Sequence, residues 1–148
     1  PGFLGHSGTF NGNPVTMTAG LATLTELTVA EIERINRLGK DLRTGLRTVL
    51  DEVQISAQVT GAGSLAQIHF TDREVKDWRS AATAKTDLRT IFHLLLLDKG
   101  IFAATRAFFN ISTPMGPAEV DKLVDAARRS LTEMKPYIEI TAPGLISG

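Results

Sequence analysis

From Ile32 to Val53 the apolar residues Ile32, Ile35, Leu38, Leu42, Leu46, Val49 and Val53 recur every three or four positions without a break. That spacing puts them on one side of a helix, so it predicts a long amphipathic helix from about Val29 to about Glu52. Its start is marked twice: Thr28 and Glu31 have the spacing of a capping box, and Leu27 and Ile32 that of a hydrophobic staple. Glu33, Arg37 and Arg47 are expected on a solvated face. The rest of the chain must cover so long an apolar stripe, which constrains everything else.

After this helix the period becomes two. Val53, Ile55, Ala57 and Val59 alternate with polar residues and predict a strand; a turn at Thr60-Gly61-Ala62-Gly63-Ser64 follows, and Leu65 to Phe70 predicts a second strand with Ala66, Ile68 and Phe70 on one face, making a hairpin. The glycine run fits the dinucleotide pattern GxGxxA, but that motif needs a helix to open behind the glycines, and a strand follows here. Residues 71–85, with Trp78, are expected to form a loop with a short helical turn. Thr86 to Asp98 predicts a helix closed by Lys99 and Gly100. Ile101–Ala104 and Ala107–Ser112 are short strand candidates around Thr105-Arg106. Gly116 as cap, Pro117 at the first position and a Met115–Val120 staple open a last helix, with Val120, Leu123, Val124, Ala127, Leu131 and Met134 buried. Pro136 is expected to stop it, leaving 137–148 as a tail, loose or docked on a partner. The order describes an α/β fold with a small, mostly antiparallel sheet and packed helices.

With 148 residues the chain suits one compact domain, and a formal net charge of zero argues against nucleic acid or anionic lipid as partner. It has no cysteine and no stretch long and apolar enough to span a bilayer, so a cytoplasmic setting is expected and the sequon Asn110-Ile111-Ser112 is read as accidental. His6, His69 and His93 show no ligand spacing, so no metal site is expected; structural, hydrogen-bonded roles suit His69 and His93. Gly5-His6-Ser7-Gly8 departs from a nucleophile elbow, with Thr9 where the pattern needs glycine and no strand before it.

Gly8-Thr9-Phe10-Asn11-Gly12-Asn13-Pro14 carries the clearest chemistry. Asn13 is a good N-cap and Pro14 suits the first position of a helix over 14–26, whose Met17, Leu21 and Leu24 share a side; small Ala19, Gly20 and Ala22 suit close packing. A glycine-rich loop with free N–H groups, running into a helix N-terminus behind the Thr9 hydroxyl, can hold an anion, above all a phosphate. A tight turn before a capped helix explains the same residues. Arg106 likewise reads as a surface arginine at a turn or as a bidentate grip for a carboxylate.

The stretch His6-Ser7-Gly8-Thr9-Phe10-Asn11-Gly12-Asn13-Pro14, followed by Met17, Ala19-Gly20-Leu21-Ala22 and Leu24, resembles the pattern H-x-G-T-F-x-x-N-P-x-x-x-A-A-x-L-A-x-L of class III, pyridoxal-phosphate-dependent aminotransferases, above all the glutamate-1-semialdehyde 2,1-aminomutase branch. Gly61-x-Gly63-Ser64 before Ile68-His69-Phe70, Lys99-Gly100-Ile101-Phe102, Asn110-Ile111-Ser112-Thr113-Pro114 and Val120-Asp121-Lys122-Leu123-Val124 match in order, so the resemblance covers about Gly5 to Lys135.

The resemblance implies a fold-type I enzyme, usually a homodimer, with active sites between subunits. Residues 1–13 would be an interface loop, 14–136 the C-terminal small domain with its connecting helix, and 137–148 a tail. Gly8 and Thr9 would bind the phosphate of the partner subunit's pyridoxal 5'-phosphate, Arg106 would fall near a substrate-carboxylate arginine, and the small domain would help close the pocket around an amino-acid or amino-ketone substrate. The family's catalytic lysine lies upstream of the threonine motif. No lysine precedes Lys40, so no catalytic residue is expected in this chain, which alone should not transaminate and reads as a C-terminal portion. A free-standing, non-catalytic interaction domain of the same fold is the other reading.

Overall fold

The computed structural model describes residues 8–147. In chain order the elements are α1 (Pro14–Glu26), α2 (Val29–Val53), β1 (Gln58–Thr60), β2 (Leu65–His69), α3 (Trp78–Ala81), α4 (Thr86–Asp98), β3 (Phe108–Asn110) and α5 (Pro117–Thr141), with a 3-10 turn at Pro143–Leu145. This is the mixed fold expected from the pattern of periods, a small antiparallel sheet with packed helices.

α2 forms the centre because its stripe works as the spacing requires: Leu38, Leu42, Leu46 and Val49 are buried. It packs on α5 and against β1 and β2, and α4 packs on α5. α5 contributes Val120, Leu123, Ala127, Leu131 and Met134 to the same core, and α4 contributes Leu88, Phe92 and Leu96. Phe92 meets Phe70 edge-on, ring centroids 5.8 Å apart, the arrangement aromatic quadrupoles favour. Gly39 is required where α2 crosses the hairpin turn, since a Cβ there would overlap the Gly63 carbonyl.

The strand order is β1-β2-β3. Val59 faces Ile68, and Ala66 faces Phe109; all four are buried toward the helices. Gln58, Thr60, Gln67, Phe108 and Asn110 therefore lie on the outer face. Arg47 does more than face solvent: its Nη2 donates to the Val59 carbonyl at 2.8 Å, blunting the free edge of β1. Arg43 donates to the carbonyls of Gly63 and Leu65, each at 2.7 Å.

Several expectations need correction. The first strand is shorter than 53–59, because Val53 is the last residue of α2 and Gln54 takes a left-handed conformation at φ 60°. The Ile55 N–H then turns back to the Leu50 carbonyl at 3.0 Å, and Ile55 bridges Ile146 instead of a hairpin neighbour. Ile101–Ala104 is no strand: the Ile101 N–H closes α4 on the Leu96 carbonyl at 2.8 Å, and only Ala104 bridges Phe108. Thr28 accepts the Glu31 N–H at 3.2 Å, but the Glu31 carboxylate turns to Arg34 instead of completing the box, and Ile32 is 39% exposed.

Pro136 does not stop α5, which runs on to Thr141, so the boundary drawn at 136 falls inside a helix. The residues beyond are docked on their own chain. Leu145 is buried, and the Ser147 N–H donates to the Gln54 carbonyl at 3.0 Å.

α1 has its predicted bounds but buries none of its residues. Met17, Leu21 and Leu24 share a side as predicted, yet all are exposed, and nothing lies near the open side of Gly20.

Candidate functional site

His6, with Gly5 and Ser7, lies outside the described residues; Gly8 and Thr9 lie within them. Residues 8–13 fold back on themselves, the Asn11 N–H donating to the Gly8 carbonyl at 3.1 Å and the Asn13 N–H to the Phe10 carbonyl at 3.2 Å. Asn13 Oδ1 accepts the N–H groups of Val15 at 3.0 Å and Thr16 at 3.2 Å. The Asn13 cap predicted from the sequence thus takes two helix-terminal donors, and two of the loop N–H groups read as free, those of Asn11 and Asn13, are taken by the loop's own turns. What stays open lies ahead of the cap. Thr9 is exposed, and neither its hydroxyl nor its amide has a partner among the described residues. A Cβ at Gly8 would sit 3.3 Å from Oδ1 of the exposed Asn11 side chain, a tight contact that a small shift of that side chain relieves.

The charge around this loop is simple. No Asp or Glu precedes Glu26 and no Lys or Arg precedes Arg34. The donor set is neutral, hydroxyl plus amide, with no carboxylate on the same stretch to repel an anion, and that chemistry fits a phosphate oxygen.

Arg106 lies in the turn between Ala104 and β3. Ala104 and Phe108, on either side of it, both line an apolar cleft of about 490 Å³ that also borders Ile101, Phe102, Met115 and Leu123. Arg106 is exposed and makes no ion pair among the described residues. Its carbonyl accepts from Gln67 Nε2 at 3.2 Å, a contact between residues far apart in sequence that no local pattern announces. The positions of Thr9 and Arg106 are thus separate, one ahead of α1 and one beside β3.

Matched against family models, residues 2–105 fit the class III aminotransferase model. The chain belongs to the class III aminotransferase family. A glutamate-1-semialdehyde 2,1-aminomutase from Methanosphaera stadtmanae is 33% identical over 130 residues, 86% of this chain and 31% of that protein. Among solved structures, an omega-transaminase from Sphaerobacter thermophilus shares 41% identity with a TM-score of 0.83, covering 89% of this chain and 31% of that one. A transaminase with PLP bound shares 32% identity at a TM-score of 0.78, covering 90% and 30%. The chain therefore spans about a third of the length of the relatives it matches.

Both histidines among the described residues of this family member are buried. His69 is buried and its Nε2 lies 2.9 Å from Thr60 Oγ1, the hydrogen-bonded role expected of it. His93 is buried with Nδ1 unpartnered. Among the described residues no group of three or more His, Asp or Glu side chains is placed to hold a metal ion, and no helix is long and apolar enough to cross a membrane.

Proposed function

We propose that this chain is the C-terminal part of a pyridoxal-phosphate-dependent aminotransferase or aminomutase, with residues 1–13 as an interface loop and the remainder as the small domain that helps close the substrate pocket. The observation that carries the reading is the exposed, unpartnered Thr9 at the mouth of a capped helix.

Bound pyridoxal 5'-phosphate would supply the electron sink for bond-breaking at the amino-bearing carbon of the substrate. This chain's task is to hold and to enclose. The Thr9 hydroxyl and amide would donate to phosphate oxygens of the cofactor of a partner subunit in a homodimer. The Asn13 cap keeps the loop from fraying, so both donors are presented together. Because these donors are neutral, the phosphate charge must be balanced by groups outside this stretch. Arg106, beside an apolar cleft, would take the carboxylate of an amino-acid substrate.

The decisive observation is the coding sequence upstream: finding no large domain with a lysine-bearing strand end would remove the reading. With that domain in place, Thr9→Val should weaken cofactor binding about tenfold to a hundredfold, while Thr9→Ser should stay near the parent. Equal cofactor affinity in all three would show that Thr9 does not touch the phosphate.

A further inference from the structure

The turn that carries Arg106 is held at three points. The Ala107 N–H donates to the Ala104 carbonyl at 3.0 Å, and the Ile68 N–H donates to the Ala107 carbonyl at 3.1 Å. Gln67 Nε2 donates to the carbonyl of Arg106 itself at 3.2 Å. Two consecutive residues of β2 thus pin one turn, Ile68 through its backbone and Gln67 through its side chain. All three bonds end on the backbone of the turn and none on the guanidinium.

Ala107 adds a second, independent observation. It sits at φ 53° and is fully buried. Alanine disfavours the left-handed region, so the surroundings must hold it there. Backbone forced into sparse regions gathers at ligand clamps and active sites. Here the enforced residue directly follows an arginine whose side chain is left free for a partner.

We propose that Gln67 is a positioning residue. By holding the Arg106 carbonyl it sets where the guanidinium stands, and so selects amino substrates that bear a carboxylate over those that lack one. This rests on the reading of Arg106 as the carboxylate grip. A bidentate guanidinium–carboxylate contact depends on the orientation of a planar fork. A turn freed at one of its three anchors presents that fork over a wider range of positions, and the loss falls on binding the carboxylate.

The experiment uses the holoenzyme, large domain included, with two amino donors: an amino acid and the amine of the same skeleton without its carboxylate. Gln67→Met is close in shape, lies on the outer face of the sheet and removes the amide whose Nε2 holds the Arg106 carbonyl. It should raise KM for the carboxylate donor about fivefold to tenfold, the size of one lost neutral hydrogen bond, and leave KM for the amine in place. Arg106→Ala should reduce the preference further, about a hundredfold, and adding Gln67→Met to it should change nothing more. If Arg106→Ala abolishes the preference while Gln67→Met leaves it intact, the role of Gln67 is overturned and the reading of Arg106 stands. If Arg106→Ala leaves the preference untouched, the reading beneath it fails. Should the methionine variant not fold, Gln67→Thr takes its place, with hydrogen exchange followed over residues 104–108. Faster exchange there is expected; unchanged exchange overturns the anchoring role.

Discussion

Pro136 and Thr132 stand one helical turn apart on the exposed side of α5, and Pro136 has no N–H to offer the Thr132 carbonyl. Water can reach that carbonyl, so the helix continues past the proline instead of ending there. On the opposite side Met134 and Ile138 are buried, and their burial holds the last turns in place against the local preference. The missing bond still weakens the helix. Pro136→Ala should raise stability by about 1–3 kcal/mol, seen as a higher urea midpoint with unchanged slope. A lower midpoint would mean that restricting the unfolded chain is the larger effect of this proline.

Local signals located what local forces decide. α1 and α4 have the bounds that their caps and breakers mark, and α2 differs by a residue. Sequence pattern and structure part where tertiary contacts overrule the neighbourhood. Val53 fits both the helical and the alternating pattern, and only the left-handed turn at Gln54 assigns it to α2. The apolar side of α1 is correctly grouped, but grouping does not say what covers it, and nothing among the described residues does. At the candidate site the Thr9 loop was legible because caps and glycines are local. The anchoring of Arg106 was not, because it depends on a cross-strand side chain and on a left-handed alanine.

The Asn13 cap separates stability from cofactor binding. Asn13→Ala leaves the Val15 and Thr16 N–H groups to water and should cost α1 about 1 kcal/mol, read as faster amide exchange over residues 14–26. Its effect on cofactor affinity in the full enzyme should be smaller than that of Thr9→Val, because Asn13 spends its side chain on α1 and not on the ligand. A loss of affinity as large as that of Thr9→Val would place the helix N-terminus itself in contact with the phosphate.

Two glycines in helices should respond in opposite directions. Gly39→Ala drives a methyl group into the backbone of Gly63 and Ser64, which cannot give way without moving the hairpin, and a loss of about 2–4 kcal/mol is expected. Gly20→Ala meets open space and should stabilise α1 by about 0.5–1 kcal/mol. A thermal melt checks Gly39→Ala, and amide hydrogen exchange over residues 14–26 checks Gly20→Ala, because α1 buries none of its residues on this chain. If Gly20→Ala instead weakens assembly of the longer enzyme, the small-residue side of α1 is a packing surface there.

His69 gives the fold a pH dependence of its own. It is 4% exposed, its Nε2 is engaged by Thr60 Oγ1 and its Nδ1 has no partner. Burial first, and the positive charge of Arg89 second, hold its pKa below the ordinary value of 6.5. The unfolded chain therefore takes up a proton at a pH where the folded chain does not, and stability present above pH 6.5 is lost as pH falls toward the folded value. The carboxyls of Glu31, Asp77 and Glu119 are held below their own ordinary values, Glu31 by Arg34, Asp77 by Ser80 and Glu119 by the Gly116 N–H. Their contributions disappear only on further acidification, below about 4.5 for the glutamates, so the windows do not overlap at the start. Urea midpoints measured from pH 7.5 down to 5.5 should fall for the parent and fall less for His69→Gln. Equal slopes in the two would show that another group carries the dependence.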